Sequence, residues 1–392
     1  MTEQGIERST TPEGGSGGPA GVTGRRKSRA LVLGAATAAI ATAVAVTVTA
    51  PAAQAAPGKS YEIAFQRPDQ RLAVVGSDNT ARDLSQGPLV AQNSDPSITA
   101  LPGPAFGFAL KYRLPDGHLG TYDSSQGVPV TGSDFVASGS SPSTALRPFG
   151  QGATQTYYEN TLNELQVQNG VGRGLGLGFQ VMSGSSPANA WNASGSMNKV
   201  AVVSANGFLR QSTNGSAFDS EGINVPVTPG TSPAVAASTS DAAIAVNGLN
   251  GSLMVTRSSD RSVNDTGLPV RSDSSPAVAA LSTGGFETAF VAPDNTLMVL
   301  DAAGNPHSTG QKVVRFSNPA IAADDHGGWK IVYSALDEWG GDVGTLSTYD
   351  STGHVVHTQA SVQVDTSPAI AYVTPAAVSP TTGPTPSLPP LR

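Results

Sequence analysis

Residues 232–267 read SPAVAASTSDAAIAVNGLNGSLMVTRSSDRSVNDTG, and their punctuation decides the fold. Pro233 opens a small apolar run, Ala234-Val235-Ala236-Ala237. Pro is tolerated as the first residue of a strand, where its missing N–H is not needed for pairing. A second apolar run leads to Asn250-Gly251. Asn-Gly supplies the positive φ angles of a tight hairpin turn. Leu253 follows the turn, and a fourth segment ends in Thr266-Gly267. The stretch therefore predicts four short strands, A to D, with B and C forming the hairpin.

The unit repeats along the chain. Prolines recur at Pro96, Pro142, Pro187, Pro233, Pro276, Pro319 and Pro368, in steps of 46, 45, 46, 43, 43 and 49 residues. A Leu recurs after the turn at Leu72, Leu119, Leu165, Leu209, Leu253, Leu297 and Leu346. Turn formers precede it at Asp116-Gly117, Asn206-Gly207 and Asp294-Asn295, and Thr-Gly returns at Thr131-Gly132 and Thr309-Gly310. Units of roughly 40–50 residues with four strands each are the mark of propeller blades. Six whole units run from Pro96 to about Thr366. Residues 61–95 supply strands B, C and D of another, and Pro368–Val373 supply the missing strand A. An open stack has no reason to end on the missing quarter of its first unit, whereas a closed ring removes exposed edges. The expected fold is all-β: a seven-bladed β-propeller of four-stranded blades, closed by the C-terminal strand completing the N-terminal blade. The blade units fall near 61–95 plus 366–373, 96–141, 142–186, 187–232, 233–275, 276–318 and 319–366.

Flanking segments read differently. Arg25, Arg26, Lys27 and Arg29 precede an apolar run from Ala30 to Ala50, and Ala53-Gln54-Ala55 fits a small-x-small cleavage site. This order is that of a signal peptide over residues 1–55. Arg25-Arg26 suggests a twin-arginine route, although Lys27-Ser28-Arg29 fits that pattern poorly. The alternative is a membrane anchor, because the run is long enough to span a bilayer; membrane attachment is expected only if the segment is not cleaved. Residues 56–373 are assigned to the propeller and 374–392 to a Pro-rich disordered tail. The expected location is extracellular.

The 392-residue chain is 13% charged and has a net charge of −7. The part after residue 55 holds 17 basic and 26 acidic residues. That balance argues against a nucleic-acid partner, which needs a basic surface. With no Cys, a disulfide framework, a thiolate metal site and a Cys nucleophile are excluded.

The sequence of Ser-Pro-Ala-Val-Ala-Ala, apolar strand, Asn-Gly-x-Leu turn and Thr-Gly resembles the tachylectin-like and PLL-like lectin repeats found in secreted actinobacterial proteins. The resemblance covers residues 60–373 and is clearest at 232–314. Segments Ala153–Asn163 and Asn192–Lys199 depart from it. It implies glycan or cell-surface binding but transfers no site. Such lectins hold sugars against aromatic faces near blade junctions. Here Trp191, Trp329 and Trp339 occupy no common repeat position, so one or two divergent sites are expected.

The 49-residue step contains an inserted B–C loop with Asp337, Glu338, Trp339 and Asp342. A Trp among carboxylates can stack on a sugar ring while the carboxylates accept hydroxyl hydrogen bonds; the alternative is a long solvated hairpin. Asp324-Asp325-His326 reads as a polar turn rather than a metal site. Gly170-Val171-Gly172-Arg173-Gly174-Leu175-Gly176 lacks the following helix of a phosphate loop and aligns with the Thr-Gly segments. No G-x-S-x-G elbow or H-E-x-x-H helix is present. No catalytic residue, metal or cofactor is assigned, and the oligomeric state stays open. The functional expectation is a non-catalytic, secreted carbohydrate- or cell-surface-binding propeller. The alternatives are a cell-envelope protein-interaction scaffold and a propeller glycosidase or lyase.

Overall fold

Seven antiparallel sheets follow one another along the chain in a computed structural model. It describes residues 60–373 except 85–86, 102–106, 149–153, 216, 219–222 and 337–343. No helix occurs among the described residues. Blades 2 to 7 span residues 97–135, 143–180, 188–213, 234–269, 277–312 and 320–362. Within each, sequence neighbours pair in order from the inner strand outward. Each inner strand lies beside the inner strands of the two adjacent blades, the last beside the second blade's, so the series closes. This is a seven-bladed β-propeller.

Blade 1 is split as expected. Its outer three strands are Ser60–Gln66, Leu72–Gly76 and Ala81–Asp83, and its inner strand is Ala369–Val373. The seam runs antiparallel from Ser60 opposite Val373 to Ala64 opposite Ala369. Tyr61, Ile63 and Phe65 then pack with Val332, Leu346 and Val362 of blade 7 and with Ile370. In blade 4 the described residues form three strands; its outer position is marked by a bridge between Phe208 and Pro226.

The recurring Leu is the core residue of the fold. All seven copies have no exposed surface. Burying a Leu side chain contributes roughly 1.5–3 kcal/mol, so the repeated residue is also the repeated stabilising contact. The C–D pairing shifts register around this Leu in blades 2, 3, 5, 6 and 7. The extra residues on strand D form a β-bulge. Thr266, Thr309 and Thr358 donate their hydroxyls across the bulge to the carbonyls of Leu253, Leu297 and Leu346, each at 2.8 Å. Gly267 and Gly310 take the positive φ of the bulge. Thr-Gly is therefore a bulge motif. Two sequence alignments shift by a residue or more. In blade 3 the bulge glycine is Gly178, just past the 170–176 run. In blade 2 the strand register places Gly132, not Thr131, at the bulge threonine's position.

The Ser-Pro connections do more than start strands. The residue before each Pro donates its backbone N–H to the side chain of its counterpart in the next blade. The links run from Asp95 to Ser141, Ser186, Ser232, Ser275, Asn318 and Ser367, each N–H to oxygen distance lying between 2.7 and 3.0 Å. Ser367 then donates to Asp95 Oδ1 at 2.6 Å, which closes the circle. A residue preceding Pro is held extended, which fixes the direction of the N–H. Ser, Asp and Asn each place an acceptor on a short stem.

A second link per blade joins strand B to the preceding connection. Gln66, Arg113, Glu159, Val203, Asn247, Val291 and Ser334 each accept, through the backbone carbonyl, an N–H from that connection. Side chains at this station can also bond. Gln66 donates its amide to the Val90 carbonyl at 2.9 Å, and Asn247 donates to the carbonyls of Arg271 and Ser274. Glu159 is fully buried at the same station. Neither of its carboxyl oxygens makes a hydrogen bond of normal geometry among the described residues. Burial pushes the carboxyl up to about 7, against a smaller pull from the Ser140 hydroxyl. Raising a carboxyl above its unfolded value favours the fold in acid, and that advantage is lost as pH climbs from about 4.5 to about 7.

Two outcomes follow from the ring. Truncation after Thr366 removes both Ser367 and the seam strand, and should lower the melting temperature by more than about 10 °C; an unchanged melt would show that the seam does not hold the ring. Glu159→Gln should remove the Glu159 share of the stability loss between pH 5 and 8, on the order of 3 kcal/mol. Denaturant midpoints of wild type and variant at the two pH values measure it, with the variant the more stable at pH 8.

Candidate functional site

The clearest polar-aromatic cleft lies between blades 3 and 4, on the face opposite the Ser-Pro ring. Strand ends build it. Arg147 follows the inner strand Ser143–Leu146. Gln155 and Tyr157 stand on Thr154–Glu159, and Asn169 ends Glu164–Asn169. From blade 4, Trp191 ends Ala188–Trp191, Asn198 begins Asn198–Val203, and Asn214 follows Leu209–Thr213. The cavity measures about 310 Å³, room for a monosaccharide-sized ligand by the scale of small-molecule sites.

Gln155 is the hub. Its Oε1 accepts the Trp191 indole N–H at 3.1 Å and the Asn198 amide at 2.6 Å. Its amide donates to Asn169 Oδ1 at 3.1 Å. Asn198 also reaches the Tyr157 hydroxyl, and its backbone N–H donates to Asn214 Oδ1 at 2.6 Å. Buried polar networks of this kind fix side-chain orientation. Burial raises the Tyr157 phenol, the Asn198 amide opposing it, so Tyr157 keeps its proton. Asn198 is 2% exposed and its Oδ1 has no hydrogen-bond partner among the described residues. An orphaned buried acceptor costs about 1–3 kcal/mol. The Arg147 guanidinium carbon sits 5.9 Å from the indole centroid, within cation–π range.

Most of these residues stand at strand ends, and Arg147 lies in the connection after its inner strand. Trp191 stands where blades 5, 6 and 7 carry Ala237, Ala280 and Ala323, and its strand partner Asn198 stands where blade 5 carries Ala242. The signal in the sequence was the departure of 153–163 and 192–199 from the repeat. The loop residues Asp337, Glu338, Trp339 and Asp342 lie outside the described residues. Asp324-Asp325-His326 does bring three ligand-type atoms within 4.8 Å. Its geometry is that of a turn: Asp324 accepts the backbone N–H of His326 and Gly328, both at 2.8 Å.

A larger cleft of about 740 Å³ separates the outer parts of blades 2 and 3. Every second residue from 170 to 178 is Gly, which leaves bare backbone along one face of this segment. A Cβ at Gly174 would collide with the Tyr158 hydroxyl. Its carboxylates are occupied internally. Asp134 accepts from Gly174 N–H and Gln168, and Glu164 from Gly178 N–H, Gln166 and Asn160. The cleft at Trp191 is therefore the stronger candidate.

No family model matches the sequence, and no curated protein matches it. Solved structures do resemble the fold. One is AofleA from Arthrobotrys oligospora, at 13% identity and a TM-score of 0.47, covering 74% of this chain and 92% of that one. A second is the SapL1 lectin in complex with alpha methyl fucoside, at 15% identity and a TM-score of 0.43, covering 79% and 98%. A third is the Aleuria aurantia lectin, a fungal lectin described as six-bladed with a novel fucose recognition mode, at 13% identity and a TM-score of 0.47, covering 69% and 95%. At such identities the likeness is one of architecture, and the blade number itself differs between six and seven.

Proposed function

We propose that this chain is an exported, non-catalytic carbohydrate-binding propeller and that the cleft at Trp191 is its binding site. The carrying observation is the fixed, half-buried indole of Trp191, oriented by Gln155 and bordered by Asn169, Asn198 and Asn214. Aromatic faces take the apolar side of a sugar ring, and amides take its hydroxyls. Among the described residues the cleft lining contains no carboxylate, whereas a glycosidase of the usual kind needs a carboxyl pair. Export rests on the order of charges, apolar run and cleavage motif in residues 1–55.

One observation favours the scaffold reading instead. Val171, Leu175 and Leu177 are 70%, 65% and 42% exposed along the outer edge of blade 3. Exposed apolar side chains on a sheet edge suit a protein partner.

A glycan array separates the readings. Wild type should bind at least one glycan, and Trp191→Ala should weaken it at least about tenfold while retaining the wild-type melting profile. If folded wild type binds no glycan, or Trp191→Ala binds as well as wild type, the carbohydrate reading is wrong.

A further inference from the structure

We infer that the cleft at Trp191 selects sugars that carry a carboxylate, uronic acids in particular, through Arg147. This rests on the carbohydrate reading of the same cleft and adds the charge of the ligand to it. Many of the protein's other cations pair with carboxylates. Arg67 and Arg71 pair with Asp69, Arg82 with Glu62, Arg257 with Asp241, and Arg271 and Arg315 with Asp273. Lys312 and Lys330 pair with Asp294 and Asp350. Arg147 has neither a carboxylate nor a hydrogen-bond acceptor among the described residues. Its contact is the face of Trp191. Arg173 and Arg261 likewise lack such a partner, but Arg147 alone stands over an indole, and among the described residues it is the one charged member of this cleft's lining.

The hydrogen-bond inventory points the same way. Gln155 Oε1 already accepts twice, and Asn169 Oδ1 and Asn214 Oδ1 are each taken. The charged donor left without a partner is the Arg147 guanidinium, beside the Asn169 amide and the hydroxyls of Tyr157 and Ser196. Asn198 Oδ1 is buried and offers a ligand nothing. A ligand that fits supplies an acceptor-rich anionic group for Arg147 and hydroxyls for the amide and hydroxyl rim. A uronic acid has both on one ring. A neutral sugar leaves Arg147 unpaired, and an amino sugar opposes it with like charge. The guanidinium is planar and forked, suited to bidentate capture of a carboxylate. Its place over the indole puts that carboxylate at the rim of the ring that the sugar packs on.

The test uses the full chain and two matched pairs of probes: the methyl glycosides of glucuronic and galacturonic acid, each with its neutral parent glucoside or galactoside. Titration calorimetry or saturation-transfer NMR reads the affinities. At least one acid member should bind about tenfold more tightly than its neutral parent, one charge-assisted contact's worth. The preference should shrink as salt rises from about 0.05 to about 0.5 M. Arg147→Ala should abolish the preference, weakening the acid member more than its neutral parent, and Arg147→Glu should reverse it. Arg147 is exposed, so these variants leave the core intact. Equal binding within both pairs overturns the inference, as does an equal loss for acid and neutral probes in Arg147→Ala. Failure of all four probes also overturns it. In each case binding of neutral glycans that Trp191→Ala removes leaves the carbohydrate reading standing, so the two fail separately.

Discussion

The fold depends on a circle of hydrogen bonds that no single blade contains. Seven residues, each in front of a Pro, pass a backbone N–H to the side chain of the next. Proline gives each link its geometry: it removes its own N–H from competition and holds the residue before it extended. The side chain must then be a short acceptor. Five stations are Ser, and the other two are Asp95 and Asn318, which keep the acceptor and lengthen the stem by one atom. Residues one step earlier, Ser94, Ser140, Ser185, Thr231, Ser274, Ser317 and Thr366, are all at most 1% exposed. The recurring step of 43 to 49 residues is thus the spacing that lets one blade's connection reach the next.

This explains what the sequence could and could not disclose. Turns, strand starts and buried Leu positions are local, so Asn250-Gly251, Pro233 and Leu253 declare them within a dozen residues. The split blade follows from counting. The circle itself joins residues 43 to 49 positions apart, and 272 apart at the seam. Ser before Pro looks like an ordinary turn until the blades stand side by side. The Thr-Gly pairs behave similarly. They signal a segment, but their meaning is a bulge opposite a buried Leu. One of them, Thr131-Gly132, matches by letters while sitting a residue out of register.

The candidate site is hidden for the opposite reason. An added loop is conspicuous because it lengthens a step, which draws attention to Trp339. The cleft between blades 3 and 4 is made chiefly by substitution at strand ends: Trp191 replaces an inner-strand Ala, and Asn198 and Gln155 stand on the second strands of their blades. A propeller tolerates such replacement only at strand ends on one face. There the inner strands no longer crowd one another around the axis. Function in this architecture is read where the repeat's residues change as well as where a loop is inserted.

The circle contains one ionisable member, at its seam. Asp95 accepts the Ser367 N–H at 2.6 Å, and a carboxylate makes a stronger acceptor than a hydroxyl. That link closes the longest loop in the fold, where the entropic cost of closure is greatest. Burial nonetheless pushes the Asp95 carboxyl up to about 6, the Ser367 backbone and hydroxyl only partly offsetting it. The seam therefore gains geometry from Asp95 at some cost in desolvation. That cost is absent below the unfolded value near 3.8 and complete above about 6. Glu159 carries the same sign over a neighbouring window. Surface carboxyls such as Asp294 and Asp301, pulled below the usual carboxylate range by hydrogen bonds, carry the opposite sign and stabilise when ionised.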